Sequence, residues 1–454
     1  MSGAGLTLLA TIVVIGVLVF VHELGHFIAA KLAGIYVHRF SLGMGAPVRW
    51  LTFQRGETEY AVSWLPLGGY VKMASRMEGG AEGALEGEAG DAIVPPDRMF
   101  EAKPVWVRMI VILAGVTMNV LFAWLLYTGI LAIKGIPVTP LGRIASVDTA
   151  ALPGGASELA RAAGGRIVGL DGESVATWEE LQRRWLTTTE PTSRIELADG
   201  TTISVSLADT EARIAAFRAL RPDWPAVISG VVPTRPAERA GLAVGDTIVA
   251  FDGEPISQWT DLVERISERA DQEVTLVIGR ADGRHTVRVT PAAEEVADSN
   301  GVTRTVGRIG IAGDFPEARE RVGLGEAMVS GARVTARQGT AIIGMVKGMF
   351  SGAVPTREIG GPIAIGMMAG QSARLGAEAF LSFMALISVN LAIVNMLPIP
   401  ILDGGQFLFL LAEAVTRRPV TGRIREWLSL AGLVVIVMLM VLAFSNDIRR
   451  VLGL

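Results

Sequence analysis

Two histidines four residues apart, with a glutamate beside the first, make His22-Glu23-Leu24-Gly25-His26 the clearest candidate for chemistry in this sequence. On a helix, positions i and i+4 project from one face about 5–6 Å apart, so both imidazoles can ligate one ion. Glu23 then stands where it can take a proton from a metal-bound water. The chain has four histidines (His22, His26, His38 and His285) and no cysteine. Disulfides, iron–sulfur clusters and thiolate metal sites are therefore excluded, and any metal rests on a few nitrogens plus carboxylates. A hydrolytic site of this kind takes three protein ligands and leaves one position for water. No third histidine follows nearby. The best remaining donor is Asp403, at the end of the apolar run NLAIVNMLPIPILDGG (390–405); the alternative is an aspartate that only ends a helix at the membrane interface.

The elements that must position these residues are apolar runs. Of 454 residues, 50% are hydrophobic and 19% charged, against roughly 25% charged in soluble domains. Residues 1–21 carry no charge, and the run continues through the histidine motif to Lys31. Between Arg108 and Lys134 lie 25 uncharged residues, between Glu378 and Asp403 24, and between Glu426 and Asp447 20. About 20 apolar residues span a hydrocarbon core of about 30 Å, so four transmembrane helices are expected. The first run is too long for the core of a signal peptide and no Lys or Arg precedes it. Lys and Arg concentrate in the 31–104 and 403–427 connections, which predicts that both are cytoplasmic and that the termini and the 135–377 segment lie outside; Arg449 and Arg450 run mildly against this. A net charge of −4 offers no basic field for nucleic acid.

The 135–377 segment repeats itself. GGRIVGLDGESVATWEEL (164–181) matches GDTIVAFDGEPISQWTDL (245–262), each reading as a strand, an Asp-Gly turn and a helix start. The second copy resembles a PDZ domain of the bacterial protease type, and the first a degenerate sibling. Such domains bind extended peptide segments at a sheet edge; a folded spacer with an unused groove is the other reading. The acidic, glycine-rich stretch 78–91 reads as a disordered linker. Residues 59–73 alternate apolar and polar around Pro-Leu-Gly-Gly, which suggests a hairpin, either packed on the helices, dipping into the membrane or simply soluble. Residues 323–352 read as an interfacial amphipathic helix or an ordinary linker helix.

HELGH in the first span with NMLPIPILDGG in a later one resembles the site-2 protease family of intramembrane zinc metalloproteases. The tandem PDZ-like copies narrow this to the bacterial regulator-of-sigma-E protease type, and SLGMGAP (41–47), LPLGGYVKM (65–73), AGVTMNVLFA (114–123) and GGPIAI (360–365) sit where that family has similar segments. The resemblance implies that His22, His26 and Asp403 ligate Zn2+, that Glu23 is the general base and that Asn395 positions substrate backbone. It also implies that the strand around Gly68 and Gly69 holds an unwound substrate. Substrates would be single-span membrane proteins, such as membrane-bound anti-sigma factors or remnant signal peptides, in a bacterial inner membrane, with the PDZ pair screening them from outside. Gln406 stands where relatives often have histidine. A catalytically inactive PDZ-bearing scaffold, or a transporter, would fit the apolar runs but leave the paired motifs without a use.

The expected fold is a polytopic α-helical membrane protein with two α+β PDZ-like domains inserted between its second and third spans. Its layout is a first span over 1–34, a loop with a β-hairpin over 35–104, a second span over 105–134, and PDZ-like domains over 135–222 and 223–312. A linker over 313–377 leads to a third span over 378–405. A cytoplasmic connection over 406–426, a fourth span over 427–446 and a tail over 447–454 complete it.

Overall fold

A computed structural model describes residues 3–75, 94–188, 190–207, 209–232, 235–297, 303–351 and 360–452. The acidic stretch 78–91 lies outside the described residues. The chain forms two compact units, residues 1–135 with 321–454, and residues 136–320.

The first unit is a helix bundle with a small sheet. Its helices are α1 (Gly3–Leu32), α2 (Val105–Lys134), α3 (Leu324–Phe350), α4 (Pro362–Leu375), α5 (Ala377–Asn395), α6 (Asp403–Thr416) and α7 (Gly422–Leu452). Four of these, α1, α2, α5 and α7, are long and apolar enough to cross a membrane. Their ends follow local chemistry: α2 begins after Pro104, which needs no amide partner, and stops at Gly135, whose φ of 84° closes the helix.

The expected third span is corrected. Helix α5 ends at Asn395, and Asp403 opens a separate helix. Pro398 and Pro400 cannot continue α5, and each disfavours a helical residue before it. Chain direction recovers at Asp403-Gly404-Gly405. A β-carbon on Gly404 would lie 2.3 Å from the Met396 carbonyl oxygen, and one on Gly405 2.2 Å from that of Ile399, so only glycine lets α6 start against the broken segment. Much of the expected 406–426 connection is thus helix, and the last helix is longer than 427–446.

Within the expected 313–377 linker, the helix read over 323–352 is α3, and a second helix, α4, goes beyond the expectation; both pack into the bundle. Gly331 of α3 lies against Thr128, and Trp124 donates a hydrogen bond to the Met328 carbonyl at 2.9 Å. Gly370 of α4 lies against Thr7, and Ala369 shares a core with Ala10, Val14, Leu18, Phe383 and Met384. Small residues buy these close approaches, so neither helix shows the apolar run of a lipid-facing span.

Residues 59–73 do not fold back on themselves as a simple hairpin. They belong to one strand, β3 (Thr58–Met73), in a sheet with β1 (Val37–Pro47) and β2 (Phe53–Arg55). On one side of β1, Phe40, Ser41 and Leu42 meet Tyr60, Ala61 and Val62; on the other they meet Val71, Tyr70 and Gly69. The two arms of β3 therefore pair with β1 rather than with each other, and the bend between them has Gly68 at φ 77°.

The second unit shows the internal repeat as structure. Each copy has a four-stranded antiparallel sheet with the same strand order, 167–206 in the first copy and 247–289 in the second. At Asp171-Gly172 and Asp252-Gly253 both residues have positive φ, the two-residue turn that matches strand twist. Each aspartate accepts a hydrogen bond from a neighbouring strand, from Arg194 N at 2.6 Å and Thr275 N at 2.8 Å. The repeated Trp178/Leu181 and Trp259/Leu262 are buried in the two cores. The ends of this unit meet: Ile136 pairs with Glu320 and Val138 with Ala318.

Candidate metal centre

His22 and His26 lie one turn apart on the buried face of α1, with only 8% and 7% of their surfaces exposed. They point at α2, and Gly115 makes room for them: a β-carbon there would fall 2.2 Å from His26 Nε2 and 2.8 Å from His22 Cε1. Gly25 sits equally tightly under the Ala114 carbonyl, so α1 and α2 cross at near backbone contact.

His26 Nδ1 is 2.8 Å from the Val111 carbonyl oxygen. A carbonyl can only accept, so Nδ1 carries the proton and the Nε2 lone pair faces inward. His22 Nδ1 is 3.2 Å from the Asn119 amide. The two Nε2 atoms are 3.2 Å apart, and Asp403 Oδ2 lies 3.2 Å from that of His22 and 3.5 Å from that of His26. Tetrahedral coordination at about 2.0–2.1 Å would separate ligand atoms by about 3.3–3.4 Å. The three spacings bracket that value.

The donor chemistry agrees with the distances. Asp403 Oδ2 is buried and no group among the described residues is aligned to hydrogen-bond it, although both imidazole nitrogens are at ion-pair distance. Electron-pair donors converging on one another are satisfied by a cation between them. His22, His26 and Asp403 form the group among the described residues with the identity and spacing to hold a metal ion.

Around this cluster, Glu23 is close enough to interact electrostatically with His26, His22 and Asp403. Asn395, at the last turn of α5, places its amide nitrogen 3.3 Å from His22 Nε2. Gly69 is pressed against Glu23: a β-carbon would lie 2.9 Å from Glu23 Cγ and 2.8 Å from Val19 Cγ1. Gly68 does not reach the cluster and instead faces the tip of Met44. Gln406 accepts a hydrogen bond from Arg425 on α7.

Sequence reasoning missed the residues behind the cluster. Val111, Gly115 and Asn119 form an i, i+4, i+8 stripe on α2, and Ser388 of α5 donates to the Asn119 carbonyl at 2.8 Å. The family-like segment AGVTMNVLFA (114–123) contains Gly115 and Asn119, but the sequence assigns neither a role. Arg108 and Glu413 form a largely buried two-pronged ion pair, with contacts of 2.5 and 3.1 Å, that fastens α6 to α2. Nothing in the sequence pairs them.

Comparison with known proteins gives the family. The family model for peptidase family M50 matches residues 10–439. A Neisseria meningitidis protein whose name designates a zinc metalloprotease is 32% identical over 98% of this chain and 100% of its own length. The regulator of sigma-E protease RseP of Escherichia coli is 32% identical, covering 97% of each chain. The regulator of sigma E protease of Haemophilus influenzae is 34% identical, covering 97% of this chain and 98% of its own. Among solved structures, the PDZ domain of an SdrC-like protein from Listeria monocytogenes aligns with 20% of this chain and 88% of its own at 20% identity, with a TM-score of 0.16, too low to argue fold from.

Proposed function

The chain belongs to peptidase family M50 and is a metalloprotease of the site-2 type, and from that membership we propose how its own residues work. His22, His26 and Asp403 hold a zinc ion, the spacing of their three donor atoms being the observation that carries the reading. Bound there, zinc supplies a Lewis acid that lowers the pKa of a water and polarises a scissile carbonyl. Glu23 accepts the proton from that water and returns it to the leaving amine. The Asn395 amide, beside His22 Nε2, donates a hydrogen bond that orients the substrate backbone. The Gly68–Gly69 stretch of β3 offers an extended backbone against which an unwound substrate helix can align. Gly69 at the same time leaves Glu23 its space.

The substrates in this reading are single-span membrane proteins cut within or near their spans. The names of the E. coli and H. influenzae relatives, each a regulator of sigma-E protease, point to a regulator of a sigma factor as one such class. Four helices long and apolar enough to cross a membrane support a membrane-embedded enzyme. The Lys/Arg bias supports a centre toward the cytoplasmic side and the 136–320 unit on the other, where two PDZ-like domains screen substrates. A non-catalytic scaffold would have no use for three convergent donors beside a carboxylate.

The test is co-expression with single-span substrates, comparing wild type with Glu23→Gln. The variant keeps its zinc and loses cleavage by about 10²–10⁴-fold, the worth of a positioned proton acceptor. Cleavage at the wild-type rate by a zinc-loaded Gln variant would overturn Glu23's role.

A further inference from the structure

The metal-facing nitrogen of a histidine is fixed by what its other nitrogen meets. For His26 the structure answers directly, since the Val111 carbonyl accepts a hydrogen bond from Nδ1–H. For His22, Asn119 is the group that meets Nδ1. Asn119 is fully buried, with its amide nitrogen 3.2 Å from Nδ1 and its Oδ1 without a hydrogen-bond partner. A donor facing Nδ1 would leave the His22 proton on Nε2, aimed at Asp403 and His26, and that nitrogen could not ligate an ion. A half-turn of the carboxamide exchanges oxygen and nitrogen within the same outline and removes the conflict.

We propose that Asn119 is the positioning residue for His22: in the metal-loaded protein its Oδ1 accepts a hydrogen bond from Nδ1–H, which presents the Nε2 lone pair to the ion. The placement is built in. Val111 and Asn119 stand two turns apart on α2 with Gly115 between them, so one helix face supplies an acceptor to each imidazole and the gap for both rings. Ser388 pins the Asn119 backbone from α5. Asn119 touches neither substrate nor ion and acts through His22 alone.

The inference rests on the zinc reading, and its test separates the two. Purified full-length wild type, Asn119→Asp and Asn119→Leu are titrated with zinc against a chelator, and the cobalt-substituted proteins are compared by visible absorption. All three side chains have nearly the same shape, but only Asn and Asp offer an acceptor. The expected result is zinc affinity weakened about 10–100-fold in the Leu variant. Asp stays near wild type and the cobalt bands shift in Leu only. Wild-type affinity and spectrum in the Leu variant would overturn the proposal, and so would an Asp variant as weak as Leu. If the Leu variant does not accumulate, Asn119→Ala is read the same way against Asp. Absence of zinc binding by wild type would instead defeat the metal reading itself.

Discussion

His22 and His26 are set apart from the chain's other histidines by what surrounds them. His285 is well exposed and pairs with Asp282, and His38 packs its ring on Tyr36. The motif pair is buried within a span, where each ionisable group costs at least about 2.5–3.5 kcal/mol. On the proposed zinc reading, two imidazoles, a glutamate and an aspartate are tolerated together because an ion between them satisfies the ligands. Glycines set the clearances. Gly69 and Gly68 are neighbours with different duties: a side chain at 69 meets Glu23 and Val19, whereas one at 68 meets only the flexible end of Met44. Gly69→Val therefore displaces Glu23, and a misplacement of about 1 Å can cost about 10²-fold in rate. Cleavage should fall by that order with zinc content unchanged, and unimpaired cleavage would refute the contact's importance. Such a loss reports on the position of Glu23 and says nothing by itself about strand pairing with substrate.

At the scale of elements, the charge-free runs made four helices legible before any coordinates, because lipid selects for length and apolarity. Of the helices packed among these, α3 was legible over 323–352 but not its place in the bundle, and α4 was not legible at all. The α3 and α4 segments interleave Met, Val and Ile with Gly, Ala and scattered arginines, which leaves no long uncharged run to mark them as bundle helices. The Pro398–Pro400 break was visible in the sequence, but the restart at Asp403 depends on two glycines meeting the carbonyls of Met396 and Ile399, which is a tertiary fact. The β1–β3 pairing was hidden for the same reason: alternation announces a strand, not its partner. One clamp on this sheet has a pH signature. Glu57, in the turn between β2 and β3, bonds Arg98 twice and Lys31 once, each at 2.7 Å. The Arg98 guanidinium, seconded by Lys31, holds its carboxyl down to about 2. Because the folded value lies below the unfolded one, the stabilisation is present above about pH 4.5 and lost as pH falls toward 2. Wild type should exceed Glu57→Gln in stability by about 1 kcal/mol or less near neutrality. The two unfolding curves should converge in acid. A difference that persisted at pH 2 would contradict the ion-pair account.

At the scale of the whole molecule, the chain interrupts one unit with another. The inserted unit closes on itself by pairing Ile136–Val138 with Ala318–Glu320, so its ends are neighbours and the cut belongs at 136–320 rather than at 312, the expected end of the second PDZ-like domain. Excising it behind a short linker should leave the bundle folded and hydrolysis intact while substrate selectivity relaxes; a stable, zinc-loaded remnant without activity would contradict the screening role. The proposed centre draws on α1, α2, α5 and α6, and the ligand set proposed for it joins residues from opposite ends of the sequence. The most direct test of that assembly is the zinc content of the purified protein with and without the far ligand. One zinc per wild-type chain and loss of nearly all of it in a folded Asp403→Ala variant is the result this arrangement requires. Full zinc occupancy in Asp403→Ala, at wild-type affinity, would mean that the two histidines hold the ion without α6, and the proposed centre would be wrong.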